Sequence, residues 1–293
     1  MTTTRPTDGL VLLDKPAGIS SHDAVLAARR AAGEKRVGHA GTLDPFATGL
    51  LVCLFGRATR LLPYLPGEPK VYEATLAFGR ETDTEDLLGA VVREAPLPSE
   101  AAVRAALPHF VGPLLQVPPA YSAKRIGGTR AYEAARAGVA VELAPVPIVV
   151  NALELLAWNG DGCDVRVTCG GGTYVRSLAR DIARHVGSAA HLVALRRTHA
   201  GPFAVSDALP VPARGDAIAI RPALDALPHL PRVVLDAQEA ARVRGGIAVR
   251  REPAGEATHA ALVVGEPPVL VALAEWGDGR WHPRVVMRDG DEA

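Results

Sequence analysis

The sequence predicts an α+β chain, with a larger domain over residues 1–230 and a smaller, β-rich domain over residues 231–293. Three observations lead to that reading. Apolar runs of strand length recur at 9–13, 50–55, 70–79, 148–157 and 163–169, whereas only 24–32, 131–137 and 173–186 read as helix. Asn159-Gly160-Asp161-Gly162 is a strong hairpin signal, and it joins two of those runs directly rather than through a helix. Residues 208–231 are proline-rich, and the short β-like runs 233–235, 260–264 and 269–273 come after them, broken by glycine and proline. A length of 293 residues fits about two domains.

Composition narrows the function classes. With 48% apolar and 22% charged residues, the chain has ample material for a globular core. Its three cysteines, Cys53, Cys163 and Cys169, make no CxxC pair, which fits reduced thiols in a cytosolic protein. No apolar run approaches the ~20 residues of a membrane helix, and residues 1–9 carry no signal-peptide core, so no membrane association is expected. The formal net charge of zero argues, taken alone, against a nucleic-acid binder. The charge is segregated, however. Basic residues gather at 29–36, 121–137 and 176–197, and acidic ones at 81–86 and 289–292. Each basic segment alone reads as solvated surface; together they can present a phosphate-binding face.

Taken in order, residues 9–13 form the first strand and Asp14-Lys15-Pro16-Ala17-Gly18 a turn. Ser20-Ser21-His22-Asp23 supplies capping chemistry for the alanine-rich helix at 24–32, which Gly33 ends. Gly38-His39-Ala40-Gly41-Thr42-Leu43-Asp44-Pro45 is a turn-rich loop feeding the strand at 50–55. Pro45 pushes Asp44 out of the helical region, so a single carboxylate is presented from extended or turn backbone. Asp44 reads either as an Asx-turn former or as a functional acid held by a rigid scaffold. Tyr72 lies on the strand at 70–79, where a half-buried structural tyrosine is the plain alternative.

Cys169-Gly170-Gly171-Gly172-Thr173-Tyr174-Val175-Arg176 fails the GxGxxG spacing, because Val175 stands where the last glycine belongs, and there is no Walker GKS or GKT. On a helix from Thr173 to Val186, capped by Thr173, the apolar Val175, Leu178, Ala179, Ile182 and Val186 share one face. Arg176, Arg180 and Arg184 form a stripe beside it. Arg176 lies nearest the apolar boundary and is best placed to reach a semi-buried carboxylate. Arg180 and Arg184 suit solvent or phosphate, Arg184 most plainly solvent. The histidines show no HExxH spacing, so no metal site is expected.

The segment Gly38–Pro45 resembles the catalytic motif of the TruB-type tRNA pseudouridine-55 synthases, a long motif of unusual composition. Other stretches are similar to the same family: Asp14–Gly18, the Tyr72 strand, the acidic stretch after Gly79, Pro118-Pro119-Ala120-Tyr121-Ser122-Ala123-Lys124-Arg125, Gly172–Arg176, Leu195-Arg196-Arg197 and Gly201-Pro202-Phe203. They cover most of residues 9–205. One departure is that Lys124 comes directly after Ala123, where the family often has another residue before the lysine. By position and by the Leu235…Gly245-Gly246 spacing, the end of the chain resembles, more weakly, the family's PUA-like RNA-binding module.

The resemblance implies a mixed, mainly antiparallel β-sheet core flanked by helices, with a mobile RNA-binding insertion at about 121–147. It implies an isomerase that converts uridine-55 in the TΨC loop of tRNA to pseudouridine. The N1–C1′ bond breaks, the uracil rotates, C5 bonds to C1′, and the C5 proton leaves. Asp44 would act as nucleophile or as base at the sugar, Tyr72 would stack on the base, and Arg176 would keep Asp44 ionised. His39, Lys15, Leu195, Tyr174, Lys124, Arg125 and Arg180 would meet the substrate; His39 reads equally as a stacking group in the RNA or a hydrogen-bonded structural residue. Flipping the base costs a few kcal/mol, and stacking at ~1–3 kcal/mol offsets much of that.

The reaction is redox-neutral and needs no activated donor, so no cofactor is expected. Glycosidases use two carboxylates because they must activate water; here water must be kept out, and one suffices. The implied partner is the TΨC stem-loop of tRNA, and a cytoplasmic monomer is expected. A guide-dependent (H/ACA-type) RNA pseudouridine synthase shares Gly-His-x-Gly-Thr-Leu-Asp-Pro and stays open as an alternative. So does a non-catalytic tRNA-binding or tRNA-folding protein in which Asp44 only forms a turn.

Overall fold

A computed structural model of the chain describes residues 8–121, 143–253 and 255–287, together with the backbone of 125–126 and 129–130. It opens with β1 (Gly9–Lys15), buried almost throughout, and α1 (Ser21–Ala32). Ser20 caps α1 as its sequence suggests: the Asp23 N–H donates to the Ser20 hydroxyl at 3.1 Å, and the Ser20 N–H donates to the Asp23 carboxylate at 3.0 Å. Gly33 ends the helix at φ 66°, a left-handed conformation that glycine takes without a steric penalty.

The chain continues through β2 (Val37–Ala40), β3 (Thr48–Phe55), β4 (Lys70–Phe78), β5 (Arg80–Thr82), β6 (Val91–Glu94), α2 (Glu100–Ala106) and β7 (Gly112–Gln116). The short pair β8 (Arg125–Ile126) and β9 (Thr129–Arg130) precedes β10 (Val146–Trp158) and β11 (Gly162–Cys169). Then come α3 (Val175–His185), β12 (Ala190–Ala200), β13 (Phe203–Ala204), β14 (Leu209–Pro210), β15 (Arg221–Pro222), β16 (Arg232–Val234), α4 (Ala237–Arg244), β17 (His259–Val264), β18 (Val269–Gly277) and β19 (Arg280–Val286).

The chain packs as two compact units. The first takes the chain up to Asp44, Leu51–Pro66, and everything from Asp207 on. In it β1 lies between β14, which runs parallel, and β3; β15 pairs with the start of β1 and β2 with β3, both antiparallel. Ala24, Val25 and Ala28 of α1 bury against Val11, Leu13, Leu51, Cys53 and Phe55. The C-terminal strands form a separate sheet in the order β16-β17-β18-β19, with Val243 and Ala240 of α4 packed in a core around Trp281 and Val271. This is the β-rich segment expected beyond the proline-rich stretch. The sequence reading contained no counterpart of β19.

The second unit comprises Pro45–Leu50 and Gly67–Ser206. Its sheet runs β12-β4-β11-β10-β7, antiparallel throughout, and β12 also pairs in parallel with Thr48 and Gly49 at the start of β3. The sheet is thus mixed and mainly antiparallel, with α3 packed on β12 and β4. The Asn159–Gly162 turn joins β10 and β11, closed by the Asn159 N–H on the Gly162 carbonyl at 2.9 Å.

Two differences from the sequence reading have physical causes. β12 is a central strand without a strand-like pattern, because bulges between Leu192 and Ala194 and between Arg197 and His199 each reset the in–out alternation. α3 starts at Val175 rather than Thr173; Tyr174 occupies the cap position and no side chain of its own caps the helix. The helix expected at 131–137 lies outside the described residues. Among the described residues, no helix is long and apolar enough to cross a membrane. Cys53, Cys163 and Cys169 are buried free thiols, as expected.

Candidate active site

Asp44 and the loop residues before it belong to the first unit, and Pro45 opens the stretch that belongs to the second. The anchor of the loop is Ser21, at the start of α1, which has almost no exposed surface. The Ser21 hydroxyl accepts the Leu43 N–H at 2.8 Å and donates to the Leu43 carbonyl at 3.0 Å. Both backbone groups of the residue before Asp44 are therefore fixed, and Pro45 restricts the backbone of Asp44 itself. Asp44 is half-buried. Ser21→Ala is expected to cost about 1–3 kcal/mol, because two buried backbone groups lose their partner. Thermal denaturation measures that loss, and turnover should fall with it.

Lys15 ends β1 and has no exposed surface. Its Nζ donates to the Pro16 and Ile19 carbonyls, both at 2.8 Å. Burial pulls its pKa down to about 8, against the upward pull of Asp44 and then Asp23. Lys15, expected to meet the substrate, has no exposed surface here; it ties down the turn after β1 and places a positive charge in the field of Asp44. Between about 8 and 10.5 the folded protein binds fewer protons at Lys15 than the unfolded chain, so this group adds stability as pH rises through that window. In Asp44→Asn the ammonium loses its main support, and its pKa should fall below about 8. Carbon-13 NMR of Lys15 Cε against pH measures the drop. His39 is half-buried on β2, opposite Cys53 of β3.

The other expected residues lie in the second unit. Tyr72 is nearly buried on β4, between Val167 of β11 and Arg197 of β12. Leu195, also nearly buried, faces Ala74. Paired residues point the same way and alternate residues share a face, so Tyr72, Ala74, Leu195 and Arg197 form one patch on the sheet. Arg197 is 1% exposed and its Nε donates to the Leu50 carbonyl at 2.8 Å. Gly49 pairs with Arg197 at φ 103°, and a Cβ there would lie 2.3 Å from the Arg197 carbonyl oxygen. Only glycine fits at this step, a few residues along the chain from Asp44.

The first turn of α3 is held from outside. The Tyr174 N–H donates to the Gln116 amide oxygen at 2.9 Å, and the Gln116 amide nitrogen donates to the Tyr174 carbonyl at 3.1 Å. This clasp from β7 fixes both backbone groups of the residue that precedes α3, and no side chain caps the helix. Arg176 is 3% exposed; it donates to the Thr84 carbonyl at 2.7 Å and to the Tyr121 carbonyl at 2.9 Å, and lies 3.7 Å from the Asp86 carboxylate. Arg180 departs from expectation. It faces neither solvent nor phosphate but is buried against Glu85, Asp181 at 2.8 Å and the Val117 carbonyl at 2.9 Å. Arg184 pairs with Glu81, its Nε at 3.0 Å.

The stripe of arginines and the acidic stretch at 81–86 are therefore one matched set: Arg176 with Asp86, Arg180 with Glu85, Arg184 with Glu81. Arg176 and Arg180 are neutralised inside the fold, while Arg184 keeps about half of its side chain in solvent beside Glu81. Lys124 lies outside the described residues, and of Arg125 only the backbone, in β8, is described. Sequence reasoning passed over Ser21, Gln116, Asp86 and Arg197 as site-building residues. The one available signal was an acidic run as rich in carboxylates as the helix is in arginines. Among the described residues, no three His, Cys, Asp or Glu side chains cluster in a way that could hold a metal ion.

A model of the "TruB family pseudouridylate synthase (N terminal domain)" matches residues 29–175. A Thermobifida fusca protein named tRNA pseudouridine synthase B is 44% identical over 291 residues, covering 96% of this chain and 98% of its own. The Bordetella pertussis protein of the same name is 46% identical over 234 residues, covering 78% of this chain and 96% of its own. Among solved structures, the chain is similar to one in a Cbf5-Nop10-Gar1 complex, with TM-score 0.66 and 26% identity over 92% of this chain and 78% of that one. It is also similar to one in an archaeal box H/ACA sRNP Nop10-Cbf5 complex, with TM-score 0.70 and 25% identity over 97% and 88%. With the motif loop, the sheet and these relatives in agreement, the chain belongs to the TruB family of pseudouridylate synthases.

Proposed function

We propose that this chain isomerises uridine to pseudouridine in tRNA, at position 55 of the TΨC loop, with Asp44 as the catalytic carboxylate. The observation that carries this is the near full-length similarity to a protein named tRNA pseudouridine synthase B, with the Asp44 loop intact. Asp44 acts at C1′, as nucleophile or base, while the N1–C1′ bond breaks. Tyr72 stacks on the extruded uracil, Arg176 steadies negative charge at Asp44, and Leu195 helps keep water away. His39 and Tyr174 meet the surrounding nucleotides, with Lys124 and Arg125 on phosphate. The protein works as a cytoplasmic monomer on tRNA, and residues 231–293 serve as a PUA-like RNA-binding module beside the catalytic domain of 1–230.

The test is release of tritium from uridine C5 in otherwise unmodified tRNA, with the protein alone. Release at position 55 without a guide RNA or partner protein supports this reading; a strict requirement for either supports the guide-dependent class. That class is favoured by the fold neighbours in H/ACA complexes, but the curated relatives at 44–46% identity are named for tRNA.

A cleft of about 340 Å³ in the first unit adds support for RNA binding. It is lined by Arg36, Arg57, Arg60 and Arg244 with Gly245, Gly246 and Val286. Four guanidiniums and no carboxylate among its described lining residues suit a phosphodiester. The double substitution Arg36→Glu with Arg60→Glu should weaken tRNA binding about tenfold or more and reduce the slope of log K against log salt by about two. The single-turnover rate at saturating tRNA should be retained. Filter binding across a salt series reads the slope.

A further inference from the structure

Arg176 is positioned by the acidic turn opposite α3, and the residue at the centre of that turn is Glu85. Thr84 and Asp86, on either side of it, supply the carbonyl at 2.7 Å and the carboxylate at 3.7 Å that face Arg176. Glu85 itself is fastened to the same helix twice. Its carboxylate pairs with Arg180 and accepts the Ser177 hydroxyl at 2.8 Å. Glu85, Arg180 and Ser177 are all buried. Glu85 also sits at φ 61°, a backbone conformation glycine takes freely and glutamate does not. Burial pushes its carboxyl above the usual range against the pull of Arg180. A strained, buried glutamate is an unfavourable way to build a turn, so its carboxylate has a use that glycine would not supply.

Arg180 carries the hold further. It lies one helical turn after Arg176, and the two arginines donate to carbonyls that are themselves four residues apart, Val117 at 2.9 Å and Tyr121 at 2.9 Å. The turn at 84–86, the first turns of α3 and the segment 117–121 are thus tied together through two guanidiniums. We propose that Glu85 and Arg180 are positioning residues for Arg176, fixing the angle at which the start of α3 presents that guanidinium to the reacting nucleotide. This rests on the tRNA isomerase reading above. It assigns to the pair a part in the rate of the reaction in addition to stability.

The experiment is a double-mutant cycle on the full chain, read by single-turnover tritium release at saturating tRNA and by filter binding. Glu85→Gln should slow the single-turnover step about ten- to a hundredfold while tRNA affinity stays within about twofold. In an Arg176→Lys background the same change should cost less than about twofold, because the residue it acts through is already altered. Arg180→Lys keeps the charge but loses the fork that spans Glu85 and the Val117 carbonyl, and it should behave as Glu85→Gln does. The proposal is overturned if both variants run at the wild-type rate with only a lowered melting temperature. It is also overturned if the cost is the same in both backgrounds, since the pair then does not act through Arg176, or if neither variant folds, since its role is then structural. Wild-type protein inert on bare tRNA overturns the isomerase reading, and this proposal with it.

Discussion

Asp44→Asn is expected to lower tritium release from tRNA uridine by about 10³-fold or more, the scale set by removing a carboxylate that must act at the reacting carbon. Affinity for tRNA should change little, because binding rests on phosphate contacts and RNA shape. Stability should also hold. Asparagine is close in size and tolerates the same turn conformations, and the Ser21 anchor on Leu43 and the Pro45 restriction both remain. The measurement pairs a single-turnover assay with filter binding and a melting curve. An Asp44→Asn protein that turns over at the wild-type rate would reduce Asp44 to a turn former and leave a tRNA-binding protein in place of an enzyme.

Gly49→Ala should have the largest effect on folding. Its φ of 103° already disfavours any side chain, and a Cβ would lie 2.3 Å from the Arg197 carbonyl oxygen and 2.8 Å from the Arg197 nitrogen. Both obstacles are backbone, so no rotamer change relieves them. Backbone strain and overpacking together predict a loss of about 3 kcal/mol or more. Gly112→Ala is the matched control: its φ is also 103°, but nothing lies within 4 Å of the added carbon. It should cost only about 1–2 kcal/mol, the strain alone. Urea denaturation of the two variants separates clash from conformation, and equal losses would show that the close approach of β3 to β12 is softer than the structure indicates. Turnover in Gly49→Ala should fall as well, because Arg197 faces Tyr72 across β12 and β4.

Where the sequence reading succeeded, local rules were enough. The Ser20–Asp23 capping box, Gly33 at the end of α1, and the Asn159–Gly162 hairpin depend on residues within a few positions of one another. Strands β1, β3 and β4 were legible because burial on a sheet imposes apolar runs or alternation. β12 was not, because its two bulges break that alternation and its Arg196-Arg197 pair reads as surface, although Arg197 is buried. Thr173 was a reasonable cap by composition; the clasp came instead from Gln116, far away in the chain.

By itself, the sequence determined the family, the single loop carboxylate, the α+β class and the absence of the usual cofactor fingerprints, since each of these is written in local residue patterns, whereas the two compact units are assembled from segments far apart in the chain. Tertiary structure decided what the charges do. It matched the arginine stripe of α3 to the acids at 81–86, and it withdrew Lys15 from the surface to act on Asp44 through its field. The physical reason is that a charge takes its role from its partner and its exposure, and neither is set until distant segments pack.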